Sequence, residues 1–406
     1  MKICRTIKQY DNGITTKTYC FCGVWYMKKI WFGAQRETYW FGIKTSGCKK
    51  IKKAPKLNGI TIVEMGGISG ESKIGRSAIE SLRTSDINFD SCLLQNLYTH
   101  YIPQYKTQLV FSTSNFIKHE YFNAVPMVLW EFDDGMLPVR PYAFDNVSGI
   151  VTFSEFCAKY FRKIAPKNLP IYVLPYPMDI DTSKLDGAAD VRKKYGIKAN
   201  DFVFFFNFSY NSSYFRKNPE GTLEAFAIAF QKRQKNVKLV IKSVGYDSAA
   251  ELAARLQEKI CALKLQNNVI LINQDLTDYE VYSLINASDA YVSLHRGEGL
   301  GLGMMEAMYL GKPVIATNYG GNTDFTRPDN SLLVEYKTVP PREIDLDAYS
   351  HVKKWPEPNV KTAAKHMADL YSTPVLRHRI GAAGRSFIKQ NFNKQAFNAK
   401  IKELFL

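Results

Sequence analysis

Two carboxylates stand eight residues apart in a run of small and apolar residues: Glu298 and Glu306, within GEGLGLGMMEAMYLGKPVIAT. A carboxylate only accepts hydrogen bonds, so it suits the hydroxyls of a sugar. Around the first acid Gly297, Gly299, Gly301 and Gly303 alternate, and bare backbone of this kind turns sharply and comes close to a ligand. The helix predicted from about Gly303 to Leu310 offers its first N–H groups and its positive dipole end to an anion, typically a phosphate. Acceptors for hydroxyls beside donors for a pyrophosphate describe a nucleotide-sugar site. A dinucleotide fingerprint fits poorly, because it needs glycine where Leu302 and Met304 stand.

A diphosphate also needs cations. Arg216 and Lys217 form a basic pair in a βα loop just before a helix start, a place from which such a pair clamps a pyrophosphate. Lys242 ends the strand Leu239-Val240-Ile241 and points at the same cleft, where it touches phosphate or caps the sheet. His295 directly precedes the glycine run and borders the cleft, although a histidine at a strand end is usually structural. Gly66, Gly67 and Gly70 lie in a second strand–glycine loop–helix unit and make a second phosphate cradle; an ordinary βα turn is the alternative. Two Asp-x-Asp pairs, Asp179/Asp181 and Asp345/Asp347, fall in linker-like or loop-like context and are discounted as metal ligands.

The elements that must hold these residues alternate regularly. Strands are predicted near Phe202–Phe208, Val237–Ser243, Val269–Asn273, Ala290–Leu294, Pro313–Thr317 and Leu332–Val334. Helices are predicted near Pro219–Gln234, Ala249–Leu263, Asp278–Ala287 and Gly303–Leu310. Upstream, strands are predicted at Ile60–Met65, Leu109–Ser112, Met127–Phe132, Gly149–Ser154 and from Ile171. Ser154 caps a helix from Glu155 to about Ile164. Three helices follow Lys361. The chain divides into a basic, aromatic extension (1–56), a first Rossmann-like domain (57–182), a second (183–375) and C-terminal helices (376–406).

The stretch from Glu298 to Glu306 resembles the family 4 retaining glycosyltransferases of GT-B fold, which carry a Glu-x7-Glu signature followed by a Gly-Gly turn, here Gly320-Gly321. The resemblance implies two Rossmann-like domains facing across a cleft, with the donor on the second. It assigns the donor sugar to Glu298, the ribose to Glu306 and the donor phosphates to Lys217 and Arg216, with Gly299, Leu300, Gly301 and Leu302 lining the donor. Gly66 and Gly67 match the first loop of the N-terminal domain. Many members place a histidine after a strand near the transferred sugar; none stands at this strand end. Trp130-Glu131 resembles a Trp-Glu of some bacterial polysaccharide enzymes, which makes Glu131 an acceptor-side or catalytic carboxylate or a structural hydrogen-bond partner. The activity implied is metal-independent, cofactor-free retaining transfer from a nucleoside-diphosphate sugar to a hydroxyl of a glycan or lipid-linked acceptor, in surface polysaccharide or lipopolysaccharide biosynthesis. A GT-B sugar-nucleotide epimerase and an inactive GT-B scaffold that binds nucleic acid or membrane through its basic segment are the alternatives.

Composition bounds the rest. The chain of 406 residues is long enough for two or three cores. No apolar run is long enough for a transmembrane helix, and no signal peptide is visible. Seven cysteines without framework spacing fit a reducing cytoplasm. The net charge is +16, and residues 1–56 hold 13 of the 54 Lys and Arg against only Asp11 and Glu37. The same segment holds Trp25, Trp31 and Trp40. Basic residues among aromatic ones suit an anionic membrane surface, so the expected location is cytoplasmic and peripheral on the inner face of the plasma membrane. A leader packed on the enzyme is the alternative, and nucleic acid is not expected as a partner.

Overall fold

Short apolar runs alternating with amphipathic helices specify parallel sheets covered by helices on both faces. The computed structural model describes the chain except residues 1–3, 12–13, 22–23, 33–34, 41–42, 47–56, 65–69, 94–104, 112–123, 128–143, 145–146, 231–235, 246, 346–348 and 351.

The N-terminal extension forms an antiparallel sheet of its own. β1 (Cys4–Asp11), β2 (Ile14–Phe21), β3 (Val24–Phe32), β4 (Gln35–Trp40) and β5 (Ile43–Ser46) pair in chain order as one five-stranded antiparallel sheet. The strands are rich in Thr, Tyr, Trp and Ile, and the breaks carry Gly13, Gly23, Gly33 and Gly42. Glycine-bearing two-residue breaks between β-prone runs are the signal for hairpins.

The first parallel sheet holds β6 (Leu57–Glu64), β7 (Phe89–Leu93), β8 (Tyr105–Phe111), β9 (Ala124–Met127), β10 (Ile150–Thr152) and β11 (Ile171–Val173), in the order β11-β10-β9-β8-β6-β7. α1 (Gly70–Arg83) follows β6, and α2 (Glu155–Ile164) joins β10 to β11. The second sheet holds β12 (Phe202–Ser209), β13 (Val237–Val244), β14 (Val269–Asn273), β15 (Ala290–Ser293), β16 (Val314–Thr317) and β17 (Leu332–Val334). All its pairings are parallel, in the order β14-β13-β12-β15-β16-β17. This is the doubly wound order, which reverses between β12 and β15 and opens a crevice at their carboxyl ends.

α3 (Ala188–Lys194) leads into this sheet. α4 (Tyr214–Lys217), α5 (Pro219–Phe230), α6 (Ala250–Ala262), α7 (Asp278–Ala287) and α8 (Leu302–Tyr309) join its strands. An antiparallel pair, β18 (Tyr336–Val339) with β19 (Trp355–Pro358), adds an element the sequence reading lacks. α9 (Val360–Ser372), α10 (Pro374–Asn391) and α11 (Lys394–Phe405) close the fold.

β12 shows why the second sheet forms. Its run Phe202-Val203-Phe204-Phe205-Phe206 is buried throughout. Phe204 and Phe206 pack into one core with Phe226, Ile241 and Met367. Val203 and Phe205 face the other, with Tyr291, Met305 and Ala316. Truncating such a ring to alanine costs ~3–5 kcal/mol. The second of these cores also takes in Ile62, Leu109, Phe153 and Tyr176 of the first sheet's domain, so apolar packing runs continuously from one domain to the other. α10 packs on the second domain, where a Cβ on Gly381 would lie 2.2 Å from the Gly311 carbonyl oxygen. α11 packs instead on α1: Ser81 Oγ donates to Asn398 Oδ1 (2.9 Å) and Asn398 Nδ2 donates back to Ser81 O (3.0 Å).

Candidate active site

The loop after β12 delivers the cation. Two non-glycine residues in it have positive φ, Ser213 (68°) and Asn218 (55°), and they bracket α4. Backbone held in this region costs roughly 1–3 kcal/mol per residue and persists only where the surroundings over-determine it. Here they do. Ser213 Oγ donates to Asp345 Oδ1 and the Tyr214 amide donates to Asp345 Oδ2, both at 2.5 Å. Asn218 Nδ2 donates to Leu294 O (2.8 Å), while its Oδ1 accepts from the Gly221 amide (3.0 Å). Asp345 is thus a structural anchor of this loop.

The anchored loop sets Lys217 against the turn after β15. Lys217 Nζ lies 2.5 Å from Glu298 Oε2, across the switch point of the sheet. Burial would push the Glu298 carboxyl up, but Lys217 first and Arg216 second outweigh it and hold it at about 2. Glu298 is therefore ionised at neutral pH, with a paired cation at its side.

Arg216 sits differently from the exposed clamp that the sequence predicts. It is 1% exposed, and its guanidinium donates to Gly297 O (2.8 Å), Ser212 O (2.7 Å) and Ser212 Oγ (2.5 Å). Its Nη1 stays 3.9 Å from Glu298 Oε2. Arg216 braces the two loops from behind and adds charge to the site without opening into the cleft. His295 departs further. It is fully buried, with Nδ1 3.1 Å from Ser293 Oγ and Nε2 2.9 Å from Tyr319 O and 3.1 Å from Asn322 Oδ1. Burial pushes its pKa down, so it is a neutral core histidine whose ring nitrogens are already engaged.

The turn between the two acids is shaped by close backbone approach. Gly301 caps α8 with φ 99°, the left-handed region that favours glycine. A Cβ on Gly321 would lie 2.0 Å from Gly299 O, so the Gly-Gly turn after β16 fits because it has no side chain there. The Gly321 amide donates to Glu298 O (2.7 Å). The first domain covers this turn. Ser154 Oγ accepts from the Cys157 amide as the α2 cap and donates to Gly299 O (2.8 Å). The Glu155 amide donates to Asp324 Oδ2 (2.6 Å). Leu300 is buried and Leu302 half-buried, so the turn offers a ligand backbone more than these side chains.

Glu306 lies on α8, 3% exposed. Lys73 of α1 reaches it across the interdomain seam: Lys73 Nζ is 2.5 Å from Glu306 Oε1 and 3.3 Å from Asp278 Oδ1. Arg76 Nη2 is 3.3 Å from Asp278 Oδ2. Lys242, 6% exposed, sits at the end of β13 in the electrostatic field of Asp275, Lys73 and Asp278, and burial pushes its pKa down. A cavity of about 450 Å³ opens from this point, lined by Lys73, Arg76, Asp278, Tyr282, Asp179 and Lys394 among others.

Gly66, Gly67, Trp130 and Glu131 lie outside the described residues. The sequence reading missed Lys73, Arg76, Asp278 and Ser154 as parts of the site. Each acts across the seam, and no local pattern marks a residue for that. Among the described residues no helix is long and apolar enough to cross a membrane.

Residues 189–339 match the family Glycosyl transferases group 1, a span that contains Lys217, Glu298 and Glu306. No curated protein matches the chain by sequence. Several solved structures share its fold. Sucrose-phosphate synthase from Thermosynechococcus elongatus has a TM-score of 0.62 at 16% identity, over 86% of this chain and 98% of that one. Anabaena Alr3699/HepE, in complex with UDP and glucose, has a TM-score of 0.59 at 16% identity, over 86% of this chain and 99% of that one. S. aureus TarM, a mutant in complex with Fondaparinux, alpha-GlcNAc-glycerol and UDP, scores 0.53 at 13% identity, over 100% of this chain and 80% of that one. The chain therefore has a GT-B fold, and its residues 189–339 are similar to the group 1 glycosyltransferases.

Proposed function

We propose that this protein is a retaining glycosyltransferase of family 4 type, moving a sugar from a nucleoside-diphosphate sugar to a hydroxyl of a glycan or lipid-linked acceptor in surface polysaccharide or lipopolysaccharide assembly. The observation that carries the reading is the Lys217–Glu298 pair at the switch point of the second sheet, with Glu306 eight residues on. Glu306 accepts from the ribose hydroxyls. Glu298 accepts from hydroxyls of the transferred sugar and orients it. Lys217 and the amides at the start of α8 neutralise the diphosphate as the bond from its oxygen to the sugar C1 breaks. The acceptor oxygen bonds to C1 on the face the diphosphate leaves, and its proton passes to a diphosphate oxygen. The products are the glycoside and the nucleoside diphosphate. Lys217 and the helix dipole supply the charge that a divalent metal supplies elsewhere, so transfer proceeds without metal. Arg216 acts as a positioning residue, because its hydrogen bonds hold the Lys217 loop to Gly297. Residues 1–56, with their excess of basic residues and three tryptophans, hold the enzyme to the anionic inner face of the plasma membrane.

The test is a thermal-shift screen with UDP-, GDP-, ADP-, CMP- and dTDP-sugars in EDTA. One nucleotide is expected to raise the melting temperature, with the shift lost in Glu306→Ala. Conversion of the free nucleotide-sugar without acceptor would identify an epimerase instead. No shift with any of the five would count against the donor site.

A further inference from the structure

The nucleotide end of the site contains a group that the assignment above leaves unused. Lys73 stands on α1, in the first domain, yet its ammonium is 2.5 Å from Glu306 Oε1 and 4.4 Å from the centre of the Tyr282 ring. Among the described residues no donor reaches the second oxygen, Glu306 Oε2. We propose, resting on the nucleotide-sugar reading, that Lys73 is the positioning residue of the ribose site: it fixes the Glu306 carboxylate by one oxygen and leaves the other for the ribose, so that the site is complete only when the two domains are together.

The charges around Glu306 support this. Lys73 faces it from α1, Asp278 and Tyr282 from α7, Lys242 from β13, Tyr291 from β15, and Tyr176 from the segment after β11. Burial pushes the Glu306 carboxyl up, Lys73 pulls it back, and Asp278 adds to the upward push. Burial also works against the charge on Lys73, but Glu306 leads the groups that outweigh it and keep Lys73 well above the ordinary lysine value. The Lys242 ammonium makes no hydrogen bond to a described residue and is itself weakened as a cation by burial, so it does not replace Lys73. Without Lys73, a buried carboxyl would face Asp278 and take up a proton. A carboxylic acid accepts fewer hydrogen bonds from a ribose diol than a carboxylate does.

The link to domain closure is geometric. Lys73 and Arg76 both start from α1 and end on α7 or α8. Opening the cleft removes the counter-ion of Glu306, and binding a nucleotide at Glu306 favours the closed form that supplies it.

The experiment compares wild type with Lys73→Met, Lys73→Arg and Glu306→Gln, using Lys73→Gln should the methionine variant not fold. In ligand-free protein labelled with carboxyl-¹³C glutamate, the Glu306 signal is assigned by its loss in Glu306→Gln. At pH 7 it is expected at a carboxylate shift in wild type and Lys73→Arg, and at a carboxylic-acid shift in Lys73→Met. Calorimetry with UDP, GDP and ADP should show the nucleotide that wild type binds held roughly ten- to hundredfold more weakly by Lys73→Met at pH 7. Affinity should recover as pH rises, and Lys73→Arg should stay near wild type. An unchanged Glu306 signal in Lys73→Met overturns the proposal, as does a loss of affinity that is constant with pH. A wild type that binds none of the three overturns the nucleotide-sugar reading and the ribose role with it. Intact wild-type binding with an unchanged signal overturns this proposal alone.

Discussion

The two acids of the site are the same residue type in the same short stretch, but they are held in different ways. Glu298 takes its cation from its own domain. Lys217 follows β12, Glu298 follows β15, and the two strands pair directly, Phe204 with Ala290 and Phe205 with Tyr291. Glu306 takes its cation from the other domain, 233 residues away in sequence. The Glu298 end of the cleft is therefore preassembled by one sheet, whereas the Glu306 end is assembled by the meeting of two. Burial acts on both acids, and the partners decide the outcome: Glu298 ends below the ordinary value and Glu306 above it.

Breaking the preassembled end should have the largest effect. Lys217→Ala is expected to lower kcat by about 10²–10³-fold, the range for losing one group that stabilises transition-state charge, with circular dichroism unchanged. Turnover near wild type would remove Lys217 from the chemistry. At the assembled end, Glu306→Ala should act on donor binding, raising the donor KM by about ten- to hundredfold. A pure kcat effect would show that the two ends are not distinct.

Acid titration sharpens the contrast. A carboxyl lowered from 4.5 to about 2 on folding stabilises the protein above pH 4.5, and that stability, ~3 kcal/mol, is lost as pH falls from 4.5 toward 2. Glu306 has the opposite sign. Raised above 4.5, it favours the folded state at low pH and loses that contribution as pH rises. Chemical denaturation should show Glu298→Gln less stable than wild type at pH 6, with the gap closing toward pH 2. Glu306→Gln should gain on wild type as pH climbs from 4 to 7. Parallel behaviour of the two variants would contradict the assignment of their partners. The smallest effect is expected from Ser154→Ala, which removes the α2 cap and the bond to Gly299 O. It should cost about 1 kcal/mol in denaturant melts with little change in donor KM.

Much of this architecture was legible where a pattern is local. β15, α8 and β16 follow from apolar runs broken by glycine, and the Ser154 cap with its helix Glu155–Ile164 follows from capping chemistry. α11 at Lys394–Phe405 is the last of the three helices predicted after Lys361. Legibility fails where direction matters more than type. The sequence places Arg216 beside Lys217 but does not say that one side chain turns inward to Gly297 and the other outward to Glu298. It places His295 at a strand end without showing that Tyr319 and Asn322 close over it. It cannot separate Lys73 from the other 53 basic residues, because the partner that distinguishes it lies in another domain. The N-terminal sheet is hard to read for a different reason: lysines scattered among its aromatic residues obscure the alternation that marks a strand.

The docking of α11 on α1 has a consequence for how the protein is made. Ser81 and Asn398 are 317 residues apart, and Phe397 and Ile401 are fully buried in the shared core. A ribosome adding about 5–20 residues per second needs roughly 15–60 s to travel from one to the other. Throughout that interval the face of α1 that α11 will cover is bare, however well the rest of the first domain has formed. Its completion is delayed until the whole of the second domain has been synthesised, so the nascent chain presents an apolar patch to chaperones throughout that interval.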